Sequence, residues 1–301
     1  VYKRQRGLGD VYKRQMFHKG HCSPSSDTSN GSCMDDDLII SVATIINKLK
    51  KKNPMLDHIC CKDDTQTIHD CICKNIRKIS GCESEACILT VREIIDNLGT
   101  KSDDFKNSFR PVMPDKWINN YNEWLTTSQI ENVLNQYMDG DNSFYFYGAV
   151  PIDFSNCSVS NLCSIDLKKH LNKGHNKIGI VFNTDPHTKG GRHWISMYID
   201  LLGKSMKKTP CIYYFDSYGR KPPDEINKLI QELLKQSKKY KLNMKYLYND
   251  DKYQNKESQC GVYSIYFVEQ MLSGKSFRKV LNHKLNDNKM IDFRNKYFIK
   301  L

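Results

Sequence analysis

The chain has 301 residues, of which 39% are hydrophobic and 11% aromatic, and its 46 Lys and Arg exceed its 34 Asp and Glu by 12. That composition describes a globular protein with polar surfaces and aromatic-rich cores, built as one large domain or two smaller ones. No apolar run approaches the roughly 18 residues that cross a bilayer, so no membrane insertion is expected, and the polar, basic start lacks the apolar stretch of a secretory signal.

In chain order, the first feature is a literal repeat. Val1-Tyr-Lys-Arg-Gln5 recurs as Val11-Tyr-Lys-Arg-Gln15 with no apolar pattern between the copies. This is not a structural repeat. Residues 1–15 read as a non-native extension ahead of Met16, and the Ser, Asp, Gly and Asn-rich stretch 16–37 reads as disordered. A helical arm domain is expected over 38–112. Its first helix runs from Leu38 to Lys52, with apolar residues at 38, 39, 42, 45, 46 and 49, and stops before Asn53-Pro54. A short second helix covers Cys71 to Ile79, and a third covers Ser84 to Leu98 and closes at Gly99. Residues 99–115 are polar, contain Pro111 and Pro114, and read as a linker.

The second domain, 113–301, has its core starting near Trp117. Thr127 to Tyr137 is a capped helix, Tyr145–Pro151 and Ile178–Phe182 are strands, and Asp166–Leu171 is a short helix. His193 to Asp200 alternates apolar with small or polar residues, as a strand does. Cys211 to Asp216 is aromatic and β-branched and runs into Ser217-Tyr-Gly219, a strand ending in a turn. Asp224 to Lys239 follows two prolines and has apolar residues at 226, 229, 230, 233 and 234, a helical pattern. Met244–Tyr248 is a further strand, Val262–Leu272 an apolar helix starting at Cys260-Gly261, and Asn286–Leu301 a last helix.

The lysine runs, Lys48–Lys52 and Lys235–Lys241, fall on helix faces and read as solvated surfaces. The positive charge leaves room for weak non-specific nucleic-acid binding, but no helix-turn-helix, zinc-finger or RNA-recognition signature adds to it. Eight of the 12 cysteines precede residue 90. His58, Cys60, Cys61, His69, Cys71 and Cys73 fit no standard zinc spacing, so no metal and no cofactor is expected. The cysteines read as reduced, mostly buried thiols, with a redox-linked disulfide between Cys82 and Cys87 as the alternative.

The chemistry concentrates in four residues. Cys260 would open a helix, six residues after Gln254. A thiolate is the attacking species in thiol catalysis, and a neighbouring imidazole and a helix N terminus both favour it. His193 would take the thiol proton and return it to the leaving amine. Asp216 would orient the imidazole and stabilise its charged form. The side-chain amide of Gln254 and the backbone N–H of Cys260 would stabilise the oxyanion, where one donor is worth about 100- to 1000-fold in rate. Gly261 would let a substrate carbonyl approach the backbone.

This order, His193-Trp194, Asp216, then Gln254 six residues before Cys260-Gly261, resembles the ubiquitin-like-protein protease superfamily, which includes the SUMO-deconjugating enzymes and adenovirus protease. The resemblance is strongest to the polyprotein-processing proteases of African swine fever virus and other large DNA viruses. Gly81-Cys-Glu-Ser-Glu-Ala-Cys87, Asn119-Asn-Tyr-Asn-Glu-Trp124 with Pro151–Phe154, and Val181-Phe-Asn-Thr-Asp185 with Gly190-Gly-Arg-His193-Trp194 carry that narrower match. It covers roughly residues 75 to 301. The resemblance implies an α+β fold, a papain-like core with a mixed central sheet flanked by helices, preceded by a helical arm. It implies a cysteine endopeptidase with His193 as base, Asp216 as orienting group, Cys260 as nucleophile and Gln254 as oxyanion donor. The swine fever proteases carry Asn where this chain has Asp216, and Asp is the commoner choice in the superfamily. Trp194, Gly261 and Gln259 would bind substrate, Trp194 by covering a channel too narrow for side chains larger than glycine. The partners implied are viral structural polyproteins with Gly-Gly-Xaa sites, in the host cytoplasm and the virion. A deconjugase for ubiquitin-like proteins and a non-catalytic scaffold that binds Gly-Gly tails are the alternatives.

Overall fold

The computed structural model describes Cys22, residues 32–205 and residues 209–301. The repeat in residues 1–15 and most of the polar stretch 16–37 lie outside the described residues. The chain divides into two units, one ending at Phe109 and the other running from Arg110 to Leu301. Among the described residues no helix is long and apolar enough to cross a membrane.

The second unit is organised by a five-stranded mixed sheet. Its strands are β1 (Phe144–Val150), β2 (Lys177–Asn183), β3 (Trp194–Asp200), β4 (Cys211–Phe215) and β5 (Lys245–Tyr248), in that spatial order. The outer pairs are parallel and the β2–β3 and β3–β4 pairs antiparallel. Every residue of β3 and β4 is buried, because both faces of the sheet are covered. Side chains alternate across a strand. Trp194 and Tyr198 of β3 thus join Tyr213 and Phe215 of β4 in one core, while Ile195, Met197 and Ile199 join Ile212 and Tyr214 in the other.

Helices α5 (Thr127–Gly140) and α8 (Cys260–Leu272) cover the first face. Helix α5 opens with a capping box, Thr126 accepting from Gln129 N while the Gln129 side chain accepts from Thr126 N. Helix α8 is buried from Cys260 through Met271, as expected of a helix that is apolar all round. Helix α6 (Leu167–Asn172), capped by Asp166, and α7 (Asp224–Lys239) cover the second face. Two further helices close the chain, α9 (Phe277–Asn282), which the sequence pattern did not reveal, and α10 (Asp287–Tyr297), capped by Asn286.

The first unit is helical. Helix α1 (Asp36–Lys50) starts two residues before Leu38 because Asp35 accepts a hydrogen bond from Leu38 N. Helix α2 (Thr65–Ser80) is longer than expected, running from an Asp64 cap to Gly81, whose φ of 71° ends it. The third expected helix is broken at Val91 into a 3-10 turn, Glu85–Thr90, and α3 (Arg92–Asn97). The expected linker is also corrected in part. Residues Ser102–Asn107 form α4, held by Phe105 and Phe109, whose buried rings meet edge to face at 5.3 Å.

The cysteines differ from the expectation of reduced, mostly buried thiols. Disulfides join Cys22 to Cys33, Cys82 to Cys87 and Cys157 to Cys163, each closing a short loop, while Cys60 and Cys61 are free and exposed. No three of the six His and Cys donors weighed for metal come together among the described residues. His69 instead meets Cys73 at 3.7 Å and Glu85 at 3.1 Å.

Candidate active site

In an antiparallel pair, the start of one strand lies beside the end of the next. His193 immediately precedes β3 and Asp216 immediately follows β4, so the two emerge at the same end of the sheet. There His193 Nε2 and Asp216 Oδ1 are 2.7 Å apart, in a site where the two residues are 6% and 2% exposed. The other ring nitrogen is left for the Cys260 thiol, which lies near enough to support the charged form of the ring. Cys260 is the first residue of α8, and no side chain caps that helix. The unpaired N–H groups and the positive end of the helix therefore lie at the sulfur.

The acid is held from behind. Asp216 Oδ1 also accepts from Tyr218 N at 2.8 Å. Asn249 grips its backbone from both sides, accepting from Asp216 N at 2.8 Å and donating to Asp216 O at 2.6 Å. Asn249 is fully buried and was not singled out in the sequence. The available signal was its position, one residue past β5, the parallel neighbour of β4. The Tyr218 ring lies over the His193 ring, with centroids 4.8 Å apart.

Electrostatics favour a charged imidazole. Burial pushes the His193 ring down, but the hydrogen bonds to Asp216 and Cys260 and their charges outweigh it, and His193 is held up at about 9. His193 therefore carries its proton at neutral pH.

Gln254 is buried beside this group. Its Oε1 accepts from Ser217 Oγ at 2.7 Å, and its Nε2 donates to Lys256 O and, at 3.4 Å, to Tyr218 OH. Service as an oxyanion donor would redirect one of these N–H groups. Gln259, expected to meet substrate, has internal partners: its Nε2 donates to Asn122 Oδ1 and Ser258 Oγ, each at 3.2 Å. Gly261 has its own packing reason. A Cβ there would lie 2.9 Å from the Leu125 Cβ. Gly261→Ala should therefore destabilise the protein by about 1–3 kcal/mol, read as a lowered midpoint in thermal unfolding. An unchanged midpoint would show that Leu125 yields freely.

Trp194 is 4% exposed, and its Nε1 donates to Leu125 O at 2.8 Å. Trp194 and Leu125 line a cleft of about 730 Å³, together with Trp124, Glu131, Tyr147, Val159, Asp185 and Gly191. The cleft does not itself include Cys260 or His193. Leu125 lines the cleft and also packs on Gly261 at the helix start.

A sulfur at a helix N terminus, near a buried imidazole that leans on a carboxylate, is the arrangement that thiol hydrolases use. The sequence profile of the Ulp1 protease family, C-terminal catalytic domain, matches residues 166–301, the segment that carries all four residues. The R355 protein of Acanthamoeba polyphaga mimivirus, which bears a thiol protease's name, is 30% identical over 290 residues, covering 92% of each chain. Cysteine protease S273R of African swine fever virus is 24% identical, covering 80% of this chain and 93% of its own. The crystal structure of the swine fever pS273R protease superposes with a TM-score of 0.65 at 21% identity, covering 93% of this chain and 97% of that one. The chain therefore belongs to the Ulp1 protease family, and it is a cysteine protease with the α+β fold of that group.

Proposed function

We propose that the protein is an endopeptidase that cuts after the second glycine of Gly-Gly-Xaa sites in viral structural polyproteins, acting in the host cytoplasm and the virion. In this reading His193, Asp216 and Cys260 form the triad and Gln254 is the oxyanion donor. The observation that carries the specificity is the immobilised Trp194. Its indole is buried and tied to the Leu125 carbonyl, so it cannot swing aside to admit a larger side chain where it lines the cleft. One added methyl group in such a slot is worth about 10- to 200-fold in kcat/KM.

A second reading, removal of a ubiquitin-like protein, draws on relatives named SUMO-1 cysteine protease. The test compares a Gly-Gly-Ala peptide, its Gly-Ala-Ala counterpart, and SUMO or ubiquitin fusions. The polyprotein reading requires turnover of the first peptide and loss of at least tenfold with the second. Rapid turnover of a full fusion with the short peptide ignored would establish the deconjugase instead. Tight binding of Gly-Gly tails without any cutting would point to a scaffold.

A further inference from the structure

Arg294, on α10, is completely buried, yet no carboxylate pairs with it. Its Nη2 donates to the Glu123 carbonyl at 2.7 Å and reaches Gln259 Oε1 at 3.5 Å. Its Nε and Nη1 have no hydrogen-bond partner among the described residues. The guanidinium lies over the Trp117 ring, 4.4 Å from its centroid, and 5.9 Å from that of Tyr121. A buried cation without a paired anion is expensive, so its retention calls for something that the charge does.

The charge lies beside the start of α8. Gln259, which Arg294 contacts, is the residue directly before Cys260. The other contact, Glu123, lies in the segment that runs through Trp124 to Leu125, the residue that anchors Trp194 and packs on Gly261. We propose that Arg294 is a positioning residue for the cysteine protease reaction: it locks the 122–125 segment to the start of α8 and supplies a fixed positive charge behind the Cys260 sulfur. Burial pushes the guanidinium down, while the charges of Tyr121, Cys260 and Glu123 support it, leaving it at about 10 and thus charged at neutral pH. In this proposal Cys260 feels two cations, the His193 imidazolium and Arg294, and the helix N terminus adds a third favourable potential. Upstream signals for this residue were slight, because an Arg on a C-terminal amphipathic helix reads as surface.

The alkylation arm of the test needs no peptide substrate, so it is independent of the Gly-Gly reading. Cys260 is alkylated in the full chain with iodoacetate, an anion, and with neutral iodoacetamide, and modification is quantified on the Cys260 peptide by mass spectrometry. Loss of one nearby positive charge in Arg294→Met should lower the iodoacetate-to-iodoacetamide rate ratio by about three- to tenfold. Arg294→Lys, which keeps the charge, should hold the ratio within about twofold. With any cleaved peptide, Arg294→Met should lower kcat and leave KM nearly unchanged. Should it not fold, Arg294→Gln, which keeps an N–H donor for the Glu123 carbonyl, carries the same expectation. A folded neutral variant with the parent ratio and the parent kcat overturns the proposal. A ratio that falls as far in Arg294→Lys as in Arg294→Met overturns the electrostatic role.

Discussion

Cys260→Ala should eliminate peptide cleavage, by about 10⁴-fold or more, while leaving the fold intact. The size of the effect follows from the role. No other thiol shares the helix start with His193, and an alanine offers no lone pair to attack a carbonyl. The fold should survive because the position is the first residue of α8, where a methyl side chain keeps the helix geometry and only the sulfur is lost. A thiol-reactive Gly-Gly probe gives a second readout: it should label the parent at Cys260 and leave the variant unlabelled there. The exposed Cys60 and Cys61 provide an internal control, since general thiol reagents should still reach them. Retained cleavage in a purified, folded Cys260→Ala protein would reject thiol catalysis at this site.

His193→Ala should cost nearly as much, about 10⁴-fold in kcat. In the proposed mechanism the imidazole takes the thiol proton, pairs with the thiolate and then protonates the leaving amine, so three steps would fail together. Residues that act as a unit are strongly non-additive, and the double variant Cys260→Ala/His193→Ala should be no slower than Cys260→Ala alone. The parent should show an alkaline limb. His193 has its proton held up at about 9 by Asp216 and Cys260, so the imidazolium persists below that value and is lost as the pH rises through it. Activity should fall in that window, and the residual activity of His193→Ala should lack this limb. A pH–rate profile that stays flat past 10, or a His193→Ala variant within tenfold of the parent, would remove His193 from the mechanism.

Much of this site could be read from the chain because each residue sits at an element boundary that short-range pattern reveals. The alternation in 193–200, the aromatic run 211–216 and the apolar run from 262 place His193, Asp216 and Cys260 at strand and helix ends. An antiparallel pair and a helix covering it then bring those ends together. The supporting shell was not legible in the same way. Asn249 and Arg294 act through pairings between residues 33 and 35 positions apart, and nothing local distinguishes them from an ordinary turn amide or a surface arginine. Gly261 illustrates a subtler gap. Its glycine was foreseen, but for access to substrate, whereas Leu125, from a remote segment, is what excludes a side chain there. In the arm, pattern failed where packing overrode it: Val91 breaks a run that reads as one helix, and Phe105 with Phe109 orders a stretch that reads as linker.

One covalent tie near the cleft bears on how the enzyme must be handled. The loop that contributes Val159 to the cleft wall is closed by the link between Cys157, which is exposed, and Cys163, which is half-buried. The nucleophile needs reducing conditions and this loop needs oxidising ones. A preparation kept in strong dithiol would preserve the Cys260 thiol while releasing the tie that closes the 157–163 loop beside the cleft. A mild monothiol is the medium in which both halves of the molecule can be kept in working order.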